Sequence, residues 1–407
     1  MNRRSFLAAM GATTLAGCSE FSFEQGLFNE CRDPGAGNLS QHPIVQEAWK
    51  GLQADQVWDV HVHLFGSGRG EDGVWLSRTF DQGLVLADRA RHAFFMNAAC
   101  AGDDPAHLNE HIVTRLAHQM DQFPSGAKAV LLAFDFTYDE NGKRNEDLTT
   151  FSISNDYAQR VAKARPDRFE WTASVHPYRP DVVEAIAAAK AGGARAVKWL
   201  PPSMGIDLSS PRCNAAYDAM MKNDMPLLVH MGEEKAVPGA HRGDLANPLL
   251  LRTPLERGVR MIVAHCASLG TSPDLETGDG RSIVPNLDLF ARLMSNPQYD
   301  KQLSGDISAI TQANRGGIVT KILAHREWQG RLLNGSDYPL PGVMPLFSMR
   351  ALVAEGVLDP ARVSFLHELR QGNALLFDFV LKRSLASQGQ SFQPSVFETR
   401  RYFERRA

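Results

Sequence analysis

The chain lacks a strong charge of either sign. Its 43 lysines and arginines against 46 aspartates and glutamates leave a net charge of −3 over 407 residues, with a pI near 6.5. The basic footprint that nucleic acid requires is therefore missing. Cysteine is scarce, with five residues whose spacings fit no zinc-ribbon pattern. Beyond the extreme N-terminus, no apolar run approaches the roughly 20 residues that span a bilayer. There is no internal repeat, no low-complexity tract and no glycine-rich phosphate loop after the first apolar strand. What remains is a chain that is 43% apolar, enough to bury a large core, and whose expected partner is a small molecule.

The first residues read as an address. Asn2-Arg3-Arg4-Ser5-Phe6-Leu7 sets an arginine pair ahead of a short apolar run ending at Leu15, the order of a twin-arginine export signal. Leu15-Ala16-Gly17-Cys18 resembles a lipoprotein box in which Cys18 is lipidated; an ordinary signal peptide containing a cysteine is the alternative. Residues 1–18 are thus set apart as a signal peptide and 19–56 as an N-terminal extension. The expectation is an exported protein, periplasmic or anchored to the outer membrane through Cys18 alone. An oxidising compartment permits a disulfide among Cys31, Cys100, Cys213 and Cys266, although Cys266 follows an apolar strand and reads as a buried thiol. Self-association is left open.

From residue 57 onward, short β-rich runs alternate with helical patterns. The candidate strands are 57–64, 127–136, 169–175, 194–200, 226–230, 260–265, 302–307 and 332–337. Between them lie amphipathic stretches such as 181–190, where Val182, Ile186 and Ala189 share a face and Gly192-Gly193 stop the helix. Eight alternating units predict an α/β fold, a parallel (β/α)₈ TIM barrel over 57–383; an open doubly wound sheet is the alternative. Residues 65–126 exceed a simple crossover and hold two helical patterns, 84–99 and 105–122. Leaving the C-terminal end of the first strand, they read as a helical lid over the active face, with Arg69, Arg78, Arg89 and Arg91 in reach of an anionic substrate. Residues 384–407 read as a tail packing aromatics on the barrel's exterior.

Histidines gather where barrel enzymes do chemistry. Asp59-Val60-His61-Val62-His63 ends the first strand, and residues two apart in a strand share a face, so His61 and His63 converge in the mouth. His230 ends the fifth strand, His265 the sixth and Asp337 the eighth. Four imidazoles and one carboxylate at C-terminal strand ends suit zinc, and other divalent first-row metals too.

With DVHVHL, GARAVKWLPP, LLVHMGEE, IVAHC, LLNGSDYP and the closing GNALLFDF, the chain resembles the amidohydrolase superfamily over residues 58–379. The likeness is to the branch holding metal-dependent decarboxylases, hydratases and lactonases. The resemblance implies His61, His63, His230 and Asp337 as metal ligands, with Asp337 also the general base. His265 polarises the substrate or binds a second ion. Lys198 sits where some members carry a carboxylated lysine bridging two metals and others a cation for a substrate carboxylate; pairing with Glu233, Glu234 or Asp306 is the plainer role. Asp306, His176 and Glu233 are candidate partners that orient the ligands, and His176 is equally placed to bond backbone. One zinc ion is favoured over two. The implied reaction is hydrolysis of an amide, ester or lactone by metal-activated water. Decarboxylation or hydration of a carboxylated substrate is the alternative, and a non-enzymatic metal- or solute-binding lipoprotein the third reading.

Overall fold

The computed structural model describes residues 21–68, 72–102, 104, 107–277 and 282–404. All eight expected strands are present: β1 Trp58–His63, β2 Lys128–Leu132, β3 Phe169–Thr172, β4 Val197–Trp199, β5 Leu227–His230, β6 Met261–Ala264, β7 Leu303–Asp306 and β8 Leu332–Leu333. Parallel ladders join β1-β2-β3 and β4-β5-β6-β7-β8. Two seams close them into one barrel. Ala173 bridges Val197, and Lys198 N–H donates to the Ala173 carbonyl at 2.7 Å. Val62 bridges Tyr338 on the far side, where Asp337 N–H donates to the His61 carbonyl (2.8 Å) and His63 N–H to that of Tyr338 (2.9 Å). The fold is a (β/α)₈ barrel.

The two longest helices before β2 are α1 (Leu86–Ala98) and α2 (Leu108–Asp121). The crossovers are α3 (Asn155–Ala164), α4 (Val182–Ala191), α5 (Asn214–Lys222), α6 (Arg252–Glu256), α7 (Asn286–Met294) and α8 (Ile318–Ala324), followed by α9 (Val363–Gly372) and α10 (Ala374–Ser384). Local chemistry sets their limits. Ser154 Oγ accepts the Tyr157 N–H to cap α3. Val182, Ile186 and Ala189 are the buried face of α4, and Gly193 after it adopts φ 94°, which a side chain would resist.

The barrel's lower interior is a closed apolar cluster of Val60, Leu132, Leu228, Ile262 and Leu333. Tyr402 and Phe403 of the tail pack against it, and Phe403 stacks on Trp58 at 5.9 Å. The tail aromatics therefore cover the end of the barrel rather than its outer wall. A shift of register between Asp59 and Val62 interrupts the β1–β2 ladder. It lets Val60 join the apolar cluster while His61 and His63 both face the mouth, the kind of re-aiming a bulge provides.

Cys31 and Cys100 form a disulfide with Cα atoms 5.5 Å apart, tying the N-terminal extension to the end of α1. Cys213 and Cys266 are buried free thiols. The twin arginines, Cys18 and Arg69 lie outside the described residues. No helix among the described residues is long and apolar enough to cross a membrane.

Candidate metal centre at the barrel mouth

His61 and His63 reach the mouth from β1, Lys198 from β4, His230 from the end of β5, His265 from just after β6, and Asp337 from the loop after β8. All six line one chamber. Asp337 is held at φ 61° and His265 at φ 54°. Such left-handed backbone costs on the order of 1–3 kcal/mol in a side-chain-bearing residue and tends to persist where a site needs it. The close approach of the β8 loop to β1 requires Gly335, whose added Cβ would meet His61 Cβ at 2.7 Å.

Hydrogen bonds behind the cluster choose the tautomers. Asp306 Oδ2 accepts from His61 Nδ1 at 2.9 Å, leaving the His61 Nε2 lone pair toward the chamber. Ser308 Oγ donates to Asp306 Oδ1 and accepts from His265 Nδ1 at 2.7 Å, so His265 Nε2 also faces inward as an acceptor. Asp306 Oδ1 further accepts the backbone N–H of His265 (2.8 Å) and of Ser308 (3.0 Å). One buried carboxylate thus orients both rings.

The inward atoms crowd together. Asp337 Oδ1 lies 3.4 Å from His61 Nε2 and 3.2 Å from His63 Nε2, and Asp337 Oδ2 lies 3.7 Å from His265 Nε2. Burial pushes the imidazoles of His63 to about 4 and His265 to about 3, and lowers His230 far below the usual range. Burial raises Asp337, but His265 and His61 outweigh it and hold the carboxylate well below its ordinary value. At neutral pH the His63, His230 and His265 rings are therefore neutral and Asp337 is ionised. His230 Nε2 is buried without a hydrogen bond, 3.4 Å from a Glu234 oxygen. Acceptors facing acceptors, with one orphaned, is the surface a cation satisfies. Ligand atoms of His61, His265 and Asp337 all fall within 4.8 Å of one another, a group that can hold a divalent ion.

Lys198 Nζ lies 3.5 Å from His61 Nε2, fully within the chamber wall. Burial lowers its pKa against the pull of Asp306, Asp337 and Glu234. Two expected partners are not brought in. His176 Nε2 meets the Met204 carbonyl at 3.0 Å while its Nδ1 accepts the Tyr178 N–H, so its ring serves loop backbone. Glu233 is half exposed and lies 3.9 Å from Lys235, outside the chamber. Gly232 at φ 86° turns the chain, and it is Glu234 that points inward, its carboxyl raised by burial despite N–H bonds from Val237 and Ala236.

Sequence reasoning also missed Arg315 and a buried ion pair. Arg315 donates to Ser268 Oγ at 2.7 Å, and burial lowers its pKa to about 10 against the attraction of Asp337, Glu234 and Asp306. Its place in an irregular loop after β7 gives no periodic signal. Lys382 Nζ on α10 donates to the Gly335 carbonyl and to Asp378, each at 2.5 Å. Asp59 Oδ1 accepts the N–H groups of His61 (3.1 Å) and Ser336 (2.8 Å). These groups brace the strand ends that carry His61 and Asp337. GNALLFDF contains Asp378, but the residue it serves lies 43 positions upstream by numbering.

A parallel eightfold barrel with metal-competent side chains at its C-terminal mouth defines a class of enzymes. The family follows from the sequence match: the amidohydrolase family model covers residues 58–290, more than half of the chain, and the chain belongs to that family. No curated protein matches. Solved structures resemble it at low identity. An uncharacterized TIM-barrel protein from Bordetella bronchiseptica is 17% identical, covering 76% of this chain and 94% of its own, with a TM-score of 0.45. A probable 2-pyrone-4,6-dicarboxylic acid hydrolase from Acinetobacter baumannii is 15% identical, at 78% and 96% coverage and 0.43. A 5-carboxyvanillate decarboxylase from Novosphingobium aromaticivorans, complexed with manganese, is 14% identical, at 79% and 94% coverage and 0.43.

Proposed function

We propose that this chain is a metal-dependent hydrolase that uses water to cleave an amide, ester or lactone carbonyl of a small substrate. The observation that carries the reading is the convergence of inward-facing imidazole nitrogens on one ionised carboxylate, Asp337. His61, His63, His230 and Asp337 would hold the ion, and the geometry draws His265 into the same set. Imidazole with one carboxylate favours zinc, and a single ion is the simplest occupant. A divalent ion bound there polarises a carbonyl oxygen and makes water more acidic.

The chain's own groups do the rest. Asp337 takes a proton from the attacking water as its oxygen bonds the carbonyl carbon, then returns that proton to the departing oxygen or nitrogen as the carbonyl–heteroatom bond breaks. Asp306 and Ser308 keep His61 and His265 in the required tautomer throughout. Lys198 offers a cation to the substrate's polar end. Phe65, Phe95 and Phe151 line the chamber with apolar surface that excludes bulk water.

A panel of aryl esters, lactones and anilides tests this with zinc-loaded protein, with carbon dioxide followed alongside. Asp337→Asn should lower kcat by about 10³-fold or more while secondary structure and melting temperature hold. Full activity in that variant removes the base; carbon dioxide release without hydrolysis makes the enzyme a decarboxylase instead.

A further inference from the structure

The chamber beside the cluster is small, about 60 Å³, where ligand sites commonly run to roughly 300–1,000 Å³. It has room for a reacting group and little else. A second cleft of about 730 Å³ adjoins it, and the two share Glu234 and Val237 as a common wall. The cleft is bounded by α1, by the loops after β4 and β5, and by residues 270–272 after β6.

Its walls carry both signs of charge, mostly neutralised locally. Arg91 pairs with Asp88 at 2.5 Å and Arg242 with Asp244 at 2.6 Å. Such a surface offers hydrogen bonds of both senses rather than a field for one ion. Asn286 lines it and is 1% exposed; its Nδ2 donates to the Leu269 carbonyl at 2.9 Å, which fixes the amide's orientation and leaves Oδ1 without a donor.

We infer that the outer cleft is a second subsite, built for the polar extension of a bipartite substrate whose compact carbonyl end occupies the inner chamber. The inference rests on the hydrolytic reading only for which end of the substrate meets Asp337. Substrates lacking the extension use the inner chamber alone. The extension confers affinity through the cleft without touching the reacting atoms.

Gly243 permits a clean test. It lines the cleft, and a Cβ added there meets nothing within 4 Å, so Gly243→Trp places an indole in the cleft without a backbone clash. Acetamide and N-acetylglycinamide, which share a compact acetyl group and differ by the extension, are titrated calorimetrically into the zinc-loaded chain. The expected result is that N-acetylglycinamide binds at least tenfold more tightly than acetamide. Gly243→Trp should reduce that advantage below threefold and leave acetamide binding unchanged. Lys235→Trp, on the same wall, should act in the same direction and covers the case in which the first variant fails to fold. Equal affinity of the two probes for the unmodified chain overturns the inference, as does equal weakening of both probes by the well-folded variants. These readouts need no turnover, so a failure of the hydrolytic reading appears separately, in the ester and lactone panel.

Discussion

Lys382 and Asp378 face each other one turn apart on α10, both essentially without solvent contact, and Lys382 also holds the Gly335 carbonyl. Asp378 Oδ1 has no hydrogen bond at all, and burial raises the carboxyl to about 7 even against Lys382. A buried, incompletely satisfied pair is a poor source of stability. Its position suggests what it does instead. Gly335 is two residues before Asp337, and the pair sets where that loop sits. Lys382→Met leaves a buried carboxylate unpaired and the Gly335 carbonyl without its donor, which should cost about 3–5 kcal/mol. Asp378→Leu leaves the ammonium with one partner and should cost a similar amount.

The double variant separates the two roles. With both charges gone, the Gly335 carbonyl is left without its donor and Asp59 without the nearby ammonium, a loss of about 1–3 kcal/mol that the new apolar contacts offset in part. The double variant should therefore sit within about 2 kcal/mol of the parent, with a coupling energy of at least about 3 kcal/mol between the substitutions. Activity should not recover with it, because the Asp337 loop has lost its clamp; a tenfold fall in kcat corresponds to about 1.4 kcal/mol at the transition state. Urea unfolding followed by circular dichroism, alongside kcat on the best ester of the panel, reads both quantities. A double variant as unstable as either single one would refute the shared burial cost. A stable double variant with undiminished kcat would refute the positioning role.

Two further outcomes follow from the N-terminal extension. The Cys31–Cys100 bond closes a span of 69 residues, so the Cys31→Ser, Cys100→Ser double variant should lose about 4 kcal/mol by chain entropy, read as a lower urea midpoint under non-reducing conditions; an unchanged midpoint would show that the extension docks without it. Glu24 is buried, which raises its carboxyl, but bonds from His367 and the backbone of Met349 and Arg350 outweigh this and bring it to about 2. A carboxylate depressed on folding contributes stability above its unfolded value near 4.5 and loses it as pH falls toward 2. Glu24→Gln should flatten that part of the stability–pH curve, and a curve of unchanged slope between pH 4.5 and 2 would rule the linkage out.

The barrel was legible because its signals are local. Each of the eight strands is a short β-rich run, and five of them, β1, β4, β5, β6 and β8, end at or near a polar residue that faces the mouth, as Val229-His230 and Ala264-His265 do. The observed strands are shorter than those runs at one or both ends. Strand alternation placed His61 and His63 on one side, and the register shift at Asp59–Val62 that brings Val60 inside as well leaves no mark in the pattern. Between Glu233 and Glu234 alternation has no force, since Gly232 at φ 86° breaks the strand geometry. Arg315 and Lys382 act through contacts with residues 47 positions away in each case. Contacts of that kind have no periodicity to read. His176 read equally as a partner of the ligands and as a histidine bonded to backbone, and the carbonyl of Met204 decides for the second.

The two ends of the barrel divide the work of stability and chemistry between them. At the lower end, five aliphatic side chains and the tail aromatics form an ordinary apolar core. At the mouth, Asp306, Asp337, Lys198, Arg315 and Lys382 are buried together with the imidazoles of His61, His230 and His265, and Asp59, His63 and Glu234 are largely so. Burying so many ionisable groups opposes folding unless each is met by an opposite charge or a hydrogen bond. Asp306 is met four times over, by His61, His265, and the amide and hydroxyl of Ser308. Asp337 and His230 are the exceptions, since the atoms they turn inward meet other acceptors. The unmet demand is therefore concentrated at one point, and a divalent cation there would add stability as well as chemistry, because ligand binding to the folded state alone stabilises it by mass action.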